Sequence, residues 1–341
     1  MDTSILATLS LMAPDLMEEM ELRALVLERV GALSPIGRRA LAARLNLTER
    51  EVRSAADALR EAGCLMQSAA GMELTAQGRA LADAARTVSR GRRSLQQMEY
   101  VLSRRLNAER VCVVRGNAEQ DESVLGEAAR AAARQIRFLL QGAHVLAVSG
   151  GRTIARTAEA IEPAAPMDVT VVPARGGMVG DVRTQANTLA EAFAGRLGGG
   201  CRLLHLPDGL SRGAADELSH LPQVREALEL LGHADVLLYG VGRARLLMER
   251  RGMSYAERDA LERAGAVAEA LGFYFDAQGR VVGGRSVALR EEQIGRTSRA
   301  AMVACGAGKA EAIAAVCAHH PHRLLVTDES AALRLLELLR A

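Results

Sequence analysis

After residue 107 the chain repeats one pattern: a short apolar run, a turn, and a stretch with helical periodicity. The runs cover residues 111–114, 145–148, 169–172, 202–206, 236–239, 301–304 and 324–326. Strands joined through helices pair in parallel, so this rhythm predicts a doubly wound, Rossmann-like α/β domain. Its ligand then sits outside the carboxyl ends of the strands. Residues 272–276 and 279–282, joined through Ala277 and Gln278, read as a hairpin inserted late in the domain.

Two of the predicted strands run into glycine pairs, Gly150-Gly151 and Gly176-Gly177, and each pair has an arginine beside it, Arg152 and Arg175. Glycines let backbone N–H groups turn toward a ligand, and the helix that follows adds unpaired N–H groups and a positive dipole end. Two such turns predict a ligand with more than one phosphate or carboxylate. Gly306-Ala-Gly-Lys309 lacks the four-residue gap of a Walker loop, and no glycine cluster completes G-x-G-x-x-G. A nucleotide is disfavoured, and a smaller phosphorylated ligand gains.

Lys309 is the single lysine among 43 basic residues. At the start of a helix it combines a compact point charge with the helix end. Gln185 offers a donor and an acceptor to a sugar hydroxyl. Glu269 accepts hydroxyl hydrogens, unless it is a surface carboxylate paired with Arg263. His319, His320 and His322 sit around Pro321 without a carboxylate or cysteine pattern at ligand spacing, so no metal is expected. The five scattered cysteines form no C-x-x-C pair and read as buried small hydrophobes.

The N-terminal part differs in charge. Between Leu22 and Arg93 thirteen arginines face seven acidic residues, whereas the chain from Asn107 onward is balanced. Residues 1–20 read as a helical arm interrupted by Pro14, followed by a helix that Gly31 ends and a shorter helix over 36–45. Asn46-Leu47-Thr48 turns into a third helix, where Thr48 and Glu51 have capping-box spacing. Val52, Ala55, Ala56 and Leu59 line its inner face. Gly63 stops that helix, and 64–67 with 72–74 form a hairpin, the wing of a winged helix-turn-helix.

The third helix places Arg50, Arg53 and Ser54 outward for base readout. Thr48 stands at its start, and Arg38 and Arg39 are the expected phosphate contacts on double-stranded DNA. Leu81, Val88, Leu95 and Leu102 recur every seven residues with Met98 between them. That seam either dimerises or lies on the chain's own body. The expected organisation is a DNA-binding domain over 1–80, a linking and dimerising helix over 81–106, and an effector and oligomerisation domain over 107–341. With no long apolar span or leader pattern, a cytoplasmic protein is expected.

The winged module together with PARGG…QAN, LHLPDGLS, ADVLLYGVGRA, EALGFYFD and GAGKAEAI resembles the SorC-type bacterial transcription regulators, over both domains. The similarity is strongest to the subgroup that represses central glycolytic genes. It implies a tetramer built as a dimer of dimers, no cofactor, and fructose 1,6-bisphosphate as effector, held by a domain with the fold of sugar-phosphate isomerases. By that resemblance Gly150, Gly151, Arg152 and Thr153 hold one phosphate, and Arg175, Gln185, Arg250, Glu269 and Lys309 complete the sugar and second-phosphate contacts. The subgroup has two threonines after the first glycine pair; here Arg152 takes the first of those places. The competing expectation is an isomerase or deaminase using Asp208, Asp235 or Glu269, but no histidine follows the Gly240–Gly242 loop to complete an acid–base pair.

Overall fold

The structure is a computed structural model. It describes residues 14–339 except 46, 163–164, 178–179 and 298, and for residues 14–18, 21, 83–94 and 212 the backbone alone. The chain divides into two compact units, Met1–Ser94 and Leu95–Ala341.

In the first unit three helices, Pro14–Leu33, Arg38–Leu45 and Glu49–Glu61, pack with an antiparallel hairpin of β1 (Leu65–Ser68) and β2 (Gly71–Leu74). Val26, Val30, Leu41, Val52, Ala55, Leu59 and Met72 form the core between them. The first helix runs through Gly31, because the true stop is Pro35, which turns the residue before it away from helical dihedrals. Ile36 is not helical. It exchanges backbone hydrogen bonds with Met72 at 2.9 and 3.2 Å, adding a third short edge to the hairpin. Gly71 has φ +138°, and a Cβ there would lie 2.7 Å from the Ile36 carbonyl carbon, so this approach requires glycine. The expected arm over residues 1–13 and the Asn46 end of the turn lie outside the described residues.

The helix Ala76–Arg105 continues past Gly91. In the second unit its residues Met98 and Leu102 are buried in the body's own core, with Leu95 packed against it. From Leu95 onward the seven-residue seam is therefore covered by its own domain. Leu81 is exposed, and the Val88 side chain is outside the described residues.

The body is built on β3 (Ala108–Val114), β4 (Val145–Val148), β5 (Thr170–Pro173), β6 (Gly200–Cys201), β7 (Val236–Tyr239), and two strands from later in the chain that complete the same sheet, Arg299–Val303 and His322–Asp328. Between them β8 (Gly242–Arg243), β9 (Ala268–Ala270), β10 (Phe273–Phe275) and β11 (Val281–Gly284) form a four-stranded antiparallel sheet, so the two later strands are β12 and β13. The large sheet is parallel throughout, in the order β3-β13-β12-β7-β4-β5-β6.

Side chains alternate across this sheet. Leu146, Val148, Leu238 and Val303 enter one apolar cluster with the helices Glu122–Leu139, Arg152–Glu159 and Ala186–Leu197. Ala147, Leu237, Tyr239 and Met302 enter the other, with Pro222–Gly232, Ala310–His319 and Glu329–Leu338. Both faces are covered, which is why the strands read as unbroken apolar runs.

The expected strand over 202–206 is absent; β6 stops at Cys201. Beyond it the Asn187 carboxamide donates to the Leu204 carbonyl and accepts from the Leu204 N–H, both at 2.9 Å, in place of a neighbouring strand. The late hairpin forms as expected, but β8 and β9 extend it, and Glu269 sits in the middle of β9. No helix of the described residues is long and apolar enough to cross a membrane.

Candidate functional site

From β4 the chain winds outward through β5 and β6, then returns to place β7 on the opposite side of β4, next to β12. The two windings part between β4 and β7, which opens a crevice at the strands' carboxyl ends. A pocket of about 820 Å³ lies there. All nine expected effector residues line it: Gly150, Gly151, Arg152, Thr153, Arg175, Gln185, Arg250, Glu269 and Lys309.

The first glycine pair shapes one wall. Gly151 has φ +122° and is the N-cap of the helix Arg152–Glu159 without any side-chain cap, so the helix start faces the pocket with its own N–H groups. Gly151 N donates to Thr184 O at 2.9 Å, and a Cβ on Gly150 would stand 2.7 Å from that oxygen. This close approach brings Gln185 to the same wall. Lys309, which also lines the pocket, ends the 3₁₀ turn Ala307–Lys309 at the start of the helix Ala310–His319. Burial lowers the Lys309 pKa, and the nearby Arg152 charge lowers it further, although Cys305, Asp328 and Glu119 oppose this.

Among the described residues, the side chains of Arg152, Arg243, Arg250 and Lys309 make no hydrogen bond or ion pair. With six cations against four carboxylates in its lining, the pocket is built to receive negative charge.

The remaining polar groups are already tied together. Arg175 Nε donates to Asp208 Oδ2 at 2.5 Å, and its Nη1 donates to Glu269 Oε1 at 2.8 Å. Arg251 Nη2 reaches the same Glu269 oxygen at 2.7 Å, and the Gly272 N–H donates to it at 2.8 Å. Glu269 is buried, not a surface partner of Arg263, whose ion pair is with Asp259. Burial alone would raise the Glu269 pKa; the charges of Arg175 and Arg251 outweigh it and hold the carboxylate below its ordinary value. Burial likewise opposes the charge on Arg175, but Glu269 and Asp208 raise its pKa on balance. An ionised carboxylate fixed by two guanidinium groups is a rigid acceptor for hydroxyls and a poor proton donor.

Asp235 lies at the other end of β7, where its Oδ2 accepts from the His144 and Val145 N–H groups. No histidine lines the pocket. His320 and His322 instead hold the buried Tyr239 hydroxyl, at 3.0 and 2.5 Å. Arg243, Arg251 and Glu119 belong to the pocket without having been expected. The adjacent Arg250-Arg251 pair was a visible signal for one of them, while Glu119 carried none.

In the N-terminal unit Thr48 caps the third helix: Glu51 N donates to Thr48 Oγ1, and Thr48 N donates to Glu51 Oε2 at 2.8 Å. Val52, Ala55, Ala56 and Leu59 are buried, and Arg50, Arg53 and Ser54 are exposed. Arg39 and Arg53 share Glu49, each at 3.2 Å, and Arg38 meets Asp57 at 3.2 Å. Arg50 has no partner among the described residues. The Arg39 and Arg53 pairs with Glu49 are exposed and contribute little, so phosphates can replace that carboxylate at small cost; the Arg38–Asp57 pair is half-buried.

Two family models match the chain, a CggR N-terminal DNA-binding domain over residues 20–89 and a sugar-binding domain over residues 93–337. The central glycolytic genes regulator of Bacillus subtilis (strain 168) is 35% identical over 325 residues, covering 95% of this chain and 96% of the relative. A SorC family transcriptional regulator from Enterococcus faecalis has 33% identity and a TM-score of 0.66 over 70% of this chain and 99% of its own. The full-length sorbitol operon regulator SorC from Klebsiella pneumoniae shares the fold at a TM-score of 0.65, with 18% identity over 88% of this chain and 94% of its own. The chain belongs to the SorC-type family of sugar-binding transcriptional regulators, alongside the central glycolytic genes regulators.

Proposed function

We propose that this DNA-binding regulator represses central glycolytic genes and that a phosphorylated sugar, fructose 1,6-bisphosphate above all, sets its grip on operator DNA. The observation that carries the reading is the division of charge in the pocket. Arg152, Arg243, Arg250 and Lys309 make no ion pair among the described residues, while Glu269 is an ionised, fixed acceptor in the same pocket. Anionic groups at the ends of a ligand with hydroxyls between them match that arrangement. A small neutral sugar would leave the excess of cations over carboxylates in the lining unanswered.

Residues 1–80 are the DNA-reading part in this account, with Arg50, Arg53 and Ser54 at base edges and Arg38, Arg39 and the Thr48 cap on the backbone. Residues 81–106 link it to the effector and oligomerisation part, 107–341, and the working assembly is a dimer of dimers in the cytoplasm. The ligand is sensed and not converted. The buried carboxylate of the pocket, Glu269, is immobilised by two arginines, and among the described residues no histidine stands on the walls to pair with it.

By linkage, an effector that weakens operator binding must itself bind the DNA complex more weakly by the same factor, a coupling of about 1–3 kcal/mol in typical cases. Binding isotherms on DNA from upstream of a glycolytic gene cluster, with and without saturating fructose 1,6-bisphosphate, test this. A weakening of about 5- to 150-fold is expected, and superimposable isotherms overturn it.

A further inference from the structure

The Gly306–Lys309 turn is not open. The Glu119 side chain, from the loop after β3, lies across its two glycines: a Cβ on Gly306 would stand 2.7 Å from Glu119 Cγ, and one on Gly308 2.9 Å from Glu119 Oε1. The Gly308 N–H points at Glu119 Oε2, at 3.4 Å. Lys309 feels the Glu119 charge, and Arg243 Nη1 lies 3.3 Å from the same Gly308 Cβ position. A carboxylate of the protein thus stands where the backbone donor and the cations of this wall converge.

We propose that Glu119 is a built-in occupant of this anion seat and that a phosphoryl group entering the pocket displaces it. The contact is long and the side chain is exposed, so it can be exchanged for a doubly charged oxyanion. The loop behind it is held separately. The buried Asp328 carboxylate accepts from Gly306 N and Ala118 N, each at 2.8 Å, which keeps the seat and its occupant in register. Displacement therefore moves the Glu119 side chain and leaves the Asp328 anchor closed. The consequence is a higher effector concentration at half-saturation. A site competent only while the occupant is away has its apparent affinity lowered by the fraction of time it is free.

This inference rests on the pocket taking a phosphorylated sugar, and calorimetric titration with fructose 1,6-bisphosphate separates the two. The full-length protein is compared with Glu119→Gln and Glu119→Ala, and with Glu122→Gln as a control for the loss of a pocket-mouth charge that is engaged elsewhere, with Arg156. Both Glu119 variants are expected to bind about tenfold more tightly, as for a seat free one-tenth of the time, while Glu122→Gln stays near wild type. Binding by the wild type with no gain in the Glu119 variants, or with an equal gain in Glu122→Gln, overturns the displacement and leaves the pocket assignment standing. No binding by any of the four overturns both.

Discussion

Arg175 and Glu269 form an ion pair, Nη1 to Oε1 at 2.8 Å, in which both side chains are about nine-tenths buried. Arg251 shares the same oxygen and Asp208 holds the other side of Arg175. Removing one member leaves the others charged and desolvated. Glu269→Gln is expected to destabilise the body by about 3 kcal/mol or more, read as a shift in the urea midpoint, and to weaken binding of a phosphorylated sugar as well. Loss of binding at unchanged stability would show that the network is not structural.

Burial pushes the imidazoles of His320 and His322 down, to about 3 and about 4, from an ordinary value of 6.5. The unfolded chain binds those protons first. The stability these groups allow is complete above pH 6.5 and falls as the pH drops from there toward the folded values. Between pH 7.5 and 5.5 the body should lose on the order of 2 kcal/mol. His322→Gln removes one titrating group and should flatten the slope by about half; an unchanged slope would contradict the assignment.

Leu102 is fully buried in the body's core, and Leu81 is exposed on the same helix. Leu102→Ala should cost about 2–5 kcal/mol of stability, whereas Leu81→Ser should stay within about 0.5 kcal/mol. Equal effects would mean that the seven-residue seam is not divided in this way.

Much of this architecture was legible in the sequence because its signals are local. Four-residue apolar runs specify buried parallel strands, and the Thr48–Glu51 spacing specifies a helix start. What escaped depends on distant partners. The run over 202–206 has strand composition, but Asn187, seventeen residues before Leu204, takes its backbone groups. Ile36 looks helical until Met72 pairs with it. At the pocket, glycine pairs and a lone lysine pointed to an anion. The burial of Glu269 between Arg175 and Arg251, and the approach of Glu119 to Gly308, arise only when four loops meet at the sheet's edge.

On the helix Glu49–Glu61, proposed above to read DNA, Arg50→Ala removes an exposed cation that has no partner among the described residues. It should weaken operator binding, and if the contact is to a phosphate it should reduce the slope of log K against log salt by about 0.9. If Arg50 reads a base, affinity falls by about 1–3 kcal/mol for the preferred sequence alone. Fluorescence anisotropy at several salt concentrations separates these outcomes, and an unaltered isotherm would remove Arg50 from the interface.

The central claim is that Arg152 and Lys309, which line one pocket, hold the anionic groups of a single sugar. Calorimetric titration of the full-length protein with fructose 1,6-bisphosphate, and with fructose as the uncharged comparison, tests it most directly. Saturable binding of the bisphosphate, no binding of fructose, and a loss of at least tenfold in affinity in both Arg152→Ala and Lys309→Ala are the predicted results. Absence of bisphosphate binding, or binding that survives both substitutions, would contradict the account.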